Sequence, residues 1–454
     1  MKPDVTVIGA GLAGCEAAWQ VAQAGLRVRL FEMRPARMTP AHRSGDFAEL
    51  VCSNSLKSDL PGTAPFLLKE ELRRLGSLLL RIADSVRIPA GHALAVDREL
   101  FARGVSEAIA GAPGIEVVRE EAVSVPGDGI TIVATGPLTS PTLAQAIAEF
   151  AGEQHLYFYD AISPVVDAAT LDTGRLFAAS RYGKGGDDYL NAPMTSSEYA
   201  AFYEALVGAE TAPVRDFEDT HFFEGCLPVE ELARRGVDTL RFGPMKPVGL
   251  IDPRTGRRAY AVVQLRRENL MADSYNLVGF QNHMLFPEQR RVFRMIPGLE
   301  NAEFLRYGQI HRNTYLLAPA LLEGTLQTRK RSDLFFAGQI CGVEGYVESM
   351  AAGLLAGMNA GRLARGLEPL VPPRETACGS LMHYLTRSAR ERFQPANISF
   401  GLLPEVSGEI RGIRDRKERH RIQVAEALGC LDGWIANLRS GTPAAGGTWM
   451  AGWR

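Results

Sequence analysis

Over the first thirty residues the period of the hydrophobic pattern changes twice. Residues 4–9 (DVTVIG) run apolar into a glycine, the texture of a strand buried on both faces. Residues 12–25 then carry small and apolar positions at helical spacing and stop at Gly25. Residues 26–32 (LRVRLFE) return to strand, so the three segments predict a complete βαβ unit. Residues 37–65 read as loop, with Thr, Ser, Asn, Pro and Gly gathered around Cys52. A helix is predicted over 66–84 and another within 93–110, capped by Asp97. Residues 115–135 are β-rich and end in TIVATG, a buried strand running into a Thr-Gly turn.

From residue 151 to 320 the texture differs. Aromatics cluster (LYFYDAISPVV), alternation strengthens, and Pro253–Arg254 and Gly256 punctuate short strands, which predicts an inserted α+β domain. At 333–338 (DLFFAG) the buried strand returns, followed by a glycine-rich turn and a small-residue helix over 346–364. Further helices are predicted at 376–393 and 416–430. Residues 1–150 and 321–440 then form the two parts of one α/β, Rossmann-like nucleotide-binding domain, with 441–454 a weakly ordered tail.

Composition narrows the class. A chain of 454 residues with 46% apolar and 22% charged residues buries a sizeable core, and a net charge of −2 excludes partners gathered by bulk charge alone. Six cysteines with no C-x-x-C pair argue for a reducing cytoplasm rather than a disulfide scaffold. The N-terminus carries no signal-peptide pattern. The most apolar helical segment, around Met350 to Leu363, is broken by Gly353, Gly357 and Gly361, so no membrane span and a cytoplasmic location are expected. The eight histidines show no metal-ligand spacing, and no metal is expected.

Gly9-Ala10-Gly11-Leu12-Ala13-Gly14 matches G-x-G-x-x-G between the first strand and the first helix. The turn lets backbone N–H groups approach a diphosphate at a helix N-terminus. Glu32, ending the second strand, is placed to accept from an adenosine ribose. Strand, helix, second strand and acid coincide, so a dinucleotide site is expected. Thr135-Gly136 and the late Phe335-Phe336-Ala337-Gly338 resemble two further elements of FAD-binding domains of the glutathione-reductase type. Where those domains usually carry Asp after Ala-Gly, this chain has Gln339, able to hydrogen-bond a ribityl hydroxyl but uncharged. No second glycine motif follows a strand, so FAD is the expected resident cofactor and NAD(P)H a transient visitor.

Two cysteines stand out. Cys226 precedes Pro228-Val-Glu-Glu, read as an N1 proline with first-turn acids; a helix start can lower a thiol pKa, but the acids oppose it, and a buried inert cysteine is the commoner outcome. Cys52, in Glu49-Leu-Val-Cys52-Ser-Asn, divides evenly between structural and functional readings. Basic residues collect at Arg254-Thr-Gly-Arg257-Arg258, at Arg266-Arg267, at Arg290-Arg291 and over Arg411 to Arg421. The last is either a solvated helix face or a phosphate-contacting surface for RNA.

Longer stretches carry more individuality than a fold demands: FAELVCSNSLKSD, SRYGKGGDDYLNAPMT, EGCLPVEELARRG, GPMKPVGLIDPRTGRRAYAVVQLRREN, YNLVGFQNHMLFPEQRRVF, FFAGQICGVEGYVESMAAGLLAG and FQPANISFGLLPE. In these the chain resembles the TrmFO family of folate- and FAD-dependent tRNA uridine-54 C5-methyltransferases, over nearly its whole length. The resemblance implies 5,10-methylenetetrahydrofolate as one-carbon donor, FAD reduced by NAD(P)H, and the T-arm of tRNA as partner. It implies Cys226 as the thiolate that adds to uracil C6 and Cys52 as the second thiol, with the two roles open to exchange. Tyr346 becomes a stacking residue for a flavin or folate ring, Asn282 and His283 line a folate cavity, and Arg411, Arg414, Arg416, Lys417 and Arg419 contact tRNA. A related family of tRNA wobble-uridine modification flavoproteins, MnmG, shares the glycine motif but continues through a long helical extension. A flavin oxidoreductase acting on a small molecule, and a non-catalytic FAD-dependent RNA-binding scaffold, are the alternatives that need fewer of these residues.

Overall fold

The computed structural model describes residues 2–39, 41–152, 155–212, 227–405 and 412–440. Strand β1 (Val5–Ile8), helix α1 (Leu12–Gln23) and strand β2 (Val28–Phe31) form the expected βαβ unit, with β1 and β2 parallel. The predicted loop that follows contains a short strand, β3 (Ser55–Ser58). The predicted helix over 66–84 is two helices, α2 (Ala64–Arg74) and α3 (Leu78–Ser85). Gly76 at φ +74° breaks the run, and the Ser77 hydroxyl accepts from the Leu80 N–H to start α3. Strands β4 (Arg87–Ile88) and β5 (Ala93–Val96) complete a three-stranded antiparallel sheet with β3. Helix α4 (Arg98–Ala110) starts where Asp97 accepts from the Leu100 N–H, as expected.

Strands β6 (Ile115–Val118) and β7 (Thr131–Val133) join the first sheet, and helix α5 (Pro141–Ala151) follows. The chain then leaves along β8 (His155–Ala161). Strands β9 (Val165–Asp167), β10 (Phe177–Ala178) and β11 (Tyr189–Met194) are followed by helices α6 (Ser196–Val207), α7 (Val229–Arg234) and α8 (Thr239–Phe242). Pro228 is the residue before α7 rather than its first turn: its extended backbone (ψ 141°) lets its carbonyl accept the Leu232 N–H. Strands β12 (Ala261–Arg267) and β13 (Ser274–Leu277), helix α9 (Phe286–Phe293) and strand β14 (Phe304–Arg306) complete a six-stranded antiparallel sheet of order β10-β11-β12-β13-β9-β14. This second lobe has its own buried cluster, in which Phe202, Phe280, Phe293 and Tyr199 are the largest fully buried side chains.

Strand β15 (Ile310–Leu316) pairs antiparallel with β8, so one two-stranded ladder carries the chain out of the first lobe and back. After the short helix α10 (Ala318–Leu321), strand β16 (Leu334–Phe336) completes a five-stranded, all-parallel sheet of order β16-β7-β1-β2-β6. Helices α11 (Tyr346–Ala364), α12 (Ala377–Arg387) and α13 (Arg416–Ser440) follow. The glycines that interrupt the apolar run of α11 are its packing face. A Cβ on Gly353 would lie 2.1 Å from the Ala13 carbonyl oxygen, and one on Gly357 would lie 2.5 Å from that of Ala17. Helices α1 and α11 therefore meet backbone to backbone, α1 packing on β1, β2 and β7 and α11 on β1, β7 and β16. That contact places the start of α11 beside the glycine turn. Among the described residues no helix is long and apolar enough to cross a membrane.

Candidate functional site

At the carboxyl ends of β1, β7 and β16 lies a cavity of roughly 990 Å³, its open mouth included. Ligands of open α/β sheets settle at this end of the strands. Gly9, Gly11, Leu12, Ala13, Glu32, Thr135, Gly136, Gly338, Gln339 and Tyr346 all line it; Ala10 and Gly14 stand behind the wall. Gly9 is at φ +98°, and a Cβ on Gly14 would sit 1.7 Å from the Gly9 oxygen, so the turn closes only with glycine at both. Gly11 has nothing within 4 Å of where its Cβ would stand, and no side chain caps α1. The first-turn amides of that helix are left for a ligand, and an anion is what they suit.

Glu32 is 6% exposed and already engaged. Its Oε2 accepts the Ala10 N–H at 2.9 Å, and its Oε1 accepts the Arg34 N–H (3.0 Å) and Nε–H (2.9 Å). Burial opposes its charge, but the Arg34 guanidinium and these hydrogen bonds outweigh that and hold its carboxyl below the usual carboxylate range. With about two acceptor sites on each oxygen, Oε2 retains one for a ribose hydroxyl. Gln339 donates from Nε2 to Glu344 Oε2 at 2.8 Å, so a carboxylate does stand near the late glycine turn, supplied five residues further on. An uncapped helix start, an anchored acid and glycines where a Cβ would intrude make the residues a fit for a dinucleotide such as FAD.

At one end the cavity is bounded by Val51 and by the ring of Tyr346, the first residue of α11. The Tyr346 hydroxyl accepts the backbone N–H of Cys52 (2.8 Å) and of Ser53 (3.0 Å). Burial pushes the proton affinity of this phenol well up, and the neighbouring Cys52 adds to the effect. Three arginines grip the same loop from other directions. Arg98 Nη1 donates to the Leu50 carbonyl (2.7 Å), Arg306 Nη1 to that of Val51 (3.0 Å), and Arg266 Nη2 to Ser53 Oγ (2.8 Å). Asn54 adds bonds to the Arg267 and Glu268 carbonyls at 2.9 and 3.3 Å. Glu268 pairs with Arg98 at 2.7 Å and is the nearest counter-charge to the cluster. Burial lowers the proton affinity of Arg266 and Arg306, with added repulsion from Arg98 in both cases. Two of these arginines, on β12 and β14, belong to the second lobe, so Cys52 sits where the lobes join, held from both.

The remaining sequence candidates separate. Cys226 and Arg411 lie outside the described residues. Asn282 is fully buried, donating to the Phe280 carbonyl at 3.1 Å, and His283 Nδ1 lies 2.7 Å from Glu230 Oε1, with the His283 N–H on the same carboxylate oxygen. Neither is among the described residues that line the cavity. Arg414, Arg416 and Lys417 are exposed and Arg419 partly buried at the start of α13, whose helix begins at Arg416. Arg34, Arg98, Arg306 and Glu268 escaped the sequence reading; Glu49 was read only as a neighbour of Cys52, and Arg266 only as half of a basic pair. The visible signal was a charged run, Arg266-Arg267-Glu268, ending an otherwise apolar strand.

A family model for glucose-inhibited division protein A matches residues 4–368. The chain is 58% identical over 438 residues to a protein of Koribacter versatilis named methylenetetrahydrofolate--tRNA-(uracil-5-)-methyltransferase TrmFO, covering 96% of this chain and 99% of that one. It is 60% identical to the similarly named protein of Symbiobacterium thermophilum, covering 95% of this chain and 97% of the relative. The chain belongs to the TrmFO family. The solved structure of Aquifex aeolicus GidA overlaps it with a TM-score of 0.68 at 19% identity, covering 95% of this chain and 76% of that one, which places the TrmFO family and GidA on one Rossmann-like flavoprotein fold. The glycine turn and the Cys52 loop both fall inside the span matched by the family model.

Proposed function

We propose that the protein is a methyltransferase that forms 5-methyluridine at T-loop position 54 of tRNA, taking its one-carbon unit from 5,10-methylenetetrahydrofolate and its reducing equivalents from NAD(P)H. The observation that carries this reading is the near-full-length identity to relatives named for the reaction. FAD, held by the α1 amides, Glu32 and the late glycine turn, would supply hydride-level reducing power at the cavity rim.

Uracil C5 is too weak a nucleophile to take a methylene unit unaided. The Cys226 thiolate adds to C6, which raises electron density at C5 and lets C5 attack the electrophilic carbon. Once the C5–C bond exists, Cys52 takes the proton from C5 and tetrahydrofolate leaves as its amine with the electrons of the C–N bond. The exocyclic methylene so formed takes up a hydride equivalent, and the C6–S bond breaks, releasing the Cys226 thiolate. The clamp on residues 50–54 suits this role for Cys52, because a general base must hold its position relative to the atom it deprotonates. Tyr346 fixes the loop through its hydroxyl and offers its ring to the cavity.

The test is purified FAD-loaded protein with an unmodified tRNA transcript, methylenetetrahydrofolate and NAD(P)H, followed by nucleoside mass analysis. One methyl group at a T-loop uridine is expected. Cys226→Ala retains FAD and forms no product. A full complement of substrates that leaves the tRNA unmethylated overturns the reading.

A further inference from the structure

On the second lobe, away from the glycine-turn cavity, helix α8, residues 243–250 and the turn leading into β12 enclose an open groove. Phe242 stands 82% exposed on its edge. Arg241 lies over the Tyr260 ring at 3.7 Å and is partly neutralised by Asp238 at 2.6 Å. Lys246, Arg257 and Arg258 have no ion pair or side-chain hydrogen bond among the described residues. Arg257 and Arg258 belong to a basic collection visible in the sequence to which the methyl-transfer chemistry assigns no role.

The groove runs on into a second concavity. Arg181 donates to the carbonyls of Lys246 and Val248 and to Gln264, tying the floors of the two together. Beyond it Tyr182 is 55% exposed, with Lys184 Nζ 5.5 Å from its ring. Tyr182 is held at φ +61°, a conformation unfavourable for a bulky L-residue, by its N–H on the Gly249 carbonyl (2.7 Å). A Cβ on Gly249 would strike the Tyr182 ring at 2.8 Å, so the ring's presentation depends on glycine there.

From this juxtaposition of unneutralised cations with exposed aromatic faces we infer that the groove is a docking surface for a looped or single-stranded segment of RNA. Phosphates meet Lys246, Arg257 and Arg258, and unpaired bases stack on Phe242 and Tyr182. An acidic peptide would satisfy the cations but leaves the strained presentation of Tyr182 without a use. A second copy of this chain would set like charges against each other. The inference rests on tRNA being the substrate and adds a binding surface outside the cavity and outside α13.

The test measures binding of an unmodified tRNA transcript to FAD-loaded protein by fluorescence anisotropy across a salt series. Lys246→Gln/Arg257→Gln/Arg258→Gln is expected to weaken binding and to flatten the log K against log salt slope by ~0.7 to 0.9 for each phosphate no longer neutralised. Phe242→Ala is expected to lower affinity about tenfold with the slope unchanged. Both variants retain FAD absorbance, and the KM for tRNA rises with kcat held. If wild-type protein binds tRNA and both variants bind it equally well with the same slope, the inference is overturned while the functional reading stands. If the variants instead change only the sedimentation of the protein, the surface joins two copies and the inference is likewise overturned. Wild-type protein that binds no tRNA overturns both.

Discussion

Cys52 shows what a residue's neighbours add to its type. In sequence it is one thiol in a polar loop; in the fold its backbone is tied to Tyr346 and its loop to Arg98, Arg266 and Arg306. Removing the Tyr346 hydroxyl orphans two backbone N–H groups, each a loss of about 1 kcal/mol or more. Tyr346→Phe is therefore expected to keep its flavin, to change the rate at which iodoacetamide alkylates Cys52, and to lower turnover about tenfold. Peptide mass mapping of the alkylated cysteine and the methylation rate check both. Glu268 carries a larger share because it stands among buried guanidinium groups. Glu268→Gln leaves Arg98 without its ion-pair partner and is expected to cost on the order of 3 kcal/mol of stability, read from urea melts. Such partners were illegible beforehand because each lies far from the cysteine along the chain, and no local pattern encodes a long-range pair.

Elements were legible wherever local chemistry alone decides them. The βαβ unit, the Asp97 cap and the start of α13 at residue 416 follow from period and capping residues. The break between α2 and α3 was missed because apolar spacing continues across Gly76, while the turn depends on Glu16 of α1. That buried carboxylate binds the Ser77 hydroxyl and accepts the Leu79 N–H at 2.9 Å, anchoring the first turn of α3. Burial pushes its carboxyl up to about 7, despite the opposing bonds from Ser77 and the Leu79 and Leu78 amides. An acid raised in the fold contributes its full stability below its unfolded value near 4.5 and loses it as pH climbs through the folded value. Wild-type protein is expected to lose up to about 3 kcal/mol from this group between about pH 5 and pH 8. Glu16→Gln should show a smaller drop over the same interval in paired urea melts. At the contact of α1 with α11, Gly353→Val would drive a side chain into the Ala13 backbone, and little soluble, flavin-bound protein is expected on expression.

At the scale of the whole molecule, two lobes with separate hydrophobic clusters meet at the Cys52 loop, and the β8–β15 ladder is the covalent path between them. Basic surfaces lie on both: the start of α13 on one and the groove by α8 on the other. Reversing charge at Arg414, Arg416 and Arg419 is expected to weaken tRNA binding and flatten its salt dependence; an unchanged slope in filter-binding measurements would return that helix face to solvent. The glycine turn, its acid and the late strand could be read from the chain because backbone sterics dictate glycine and a parallel strand dictates apolar runs, both properties of neighbouring residues. Which charges converge on Cys52, and that Asn282 and His283 pack away from the cavity wall, came from the folding of distant segments onto one another. Electrostatic and packing partners are set by distance in space, and a linear order of residues records only distance along the chain.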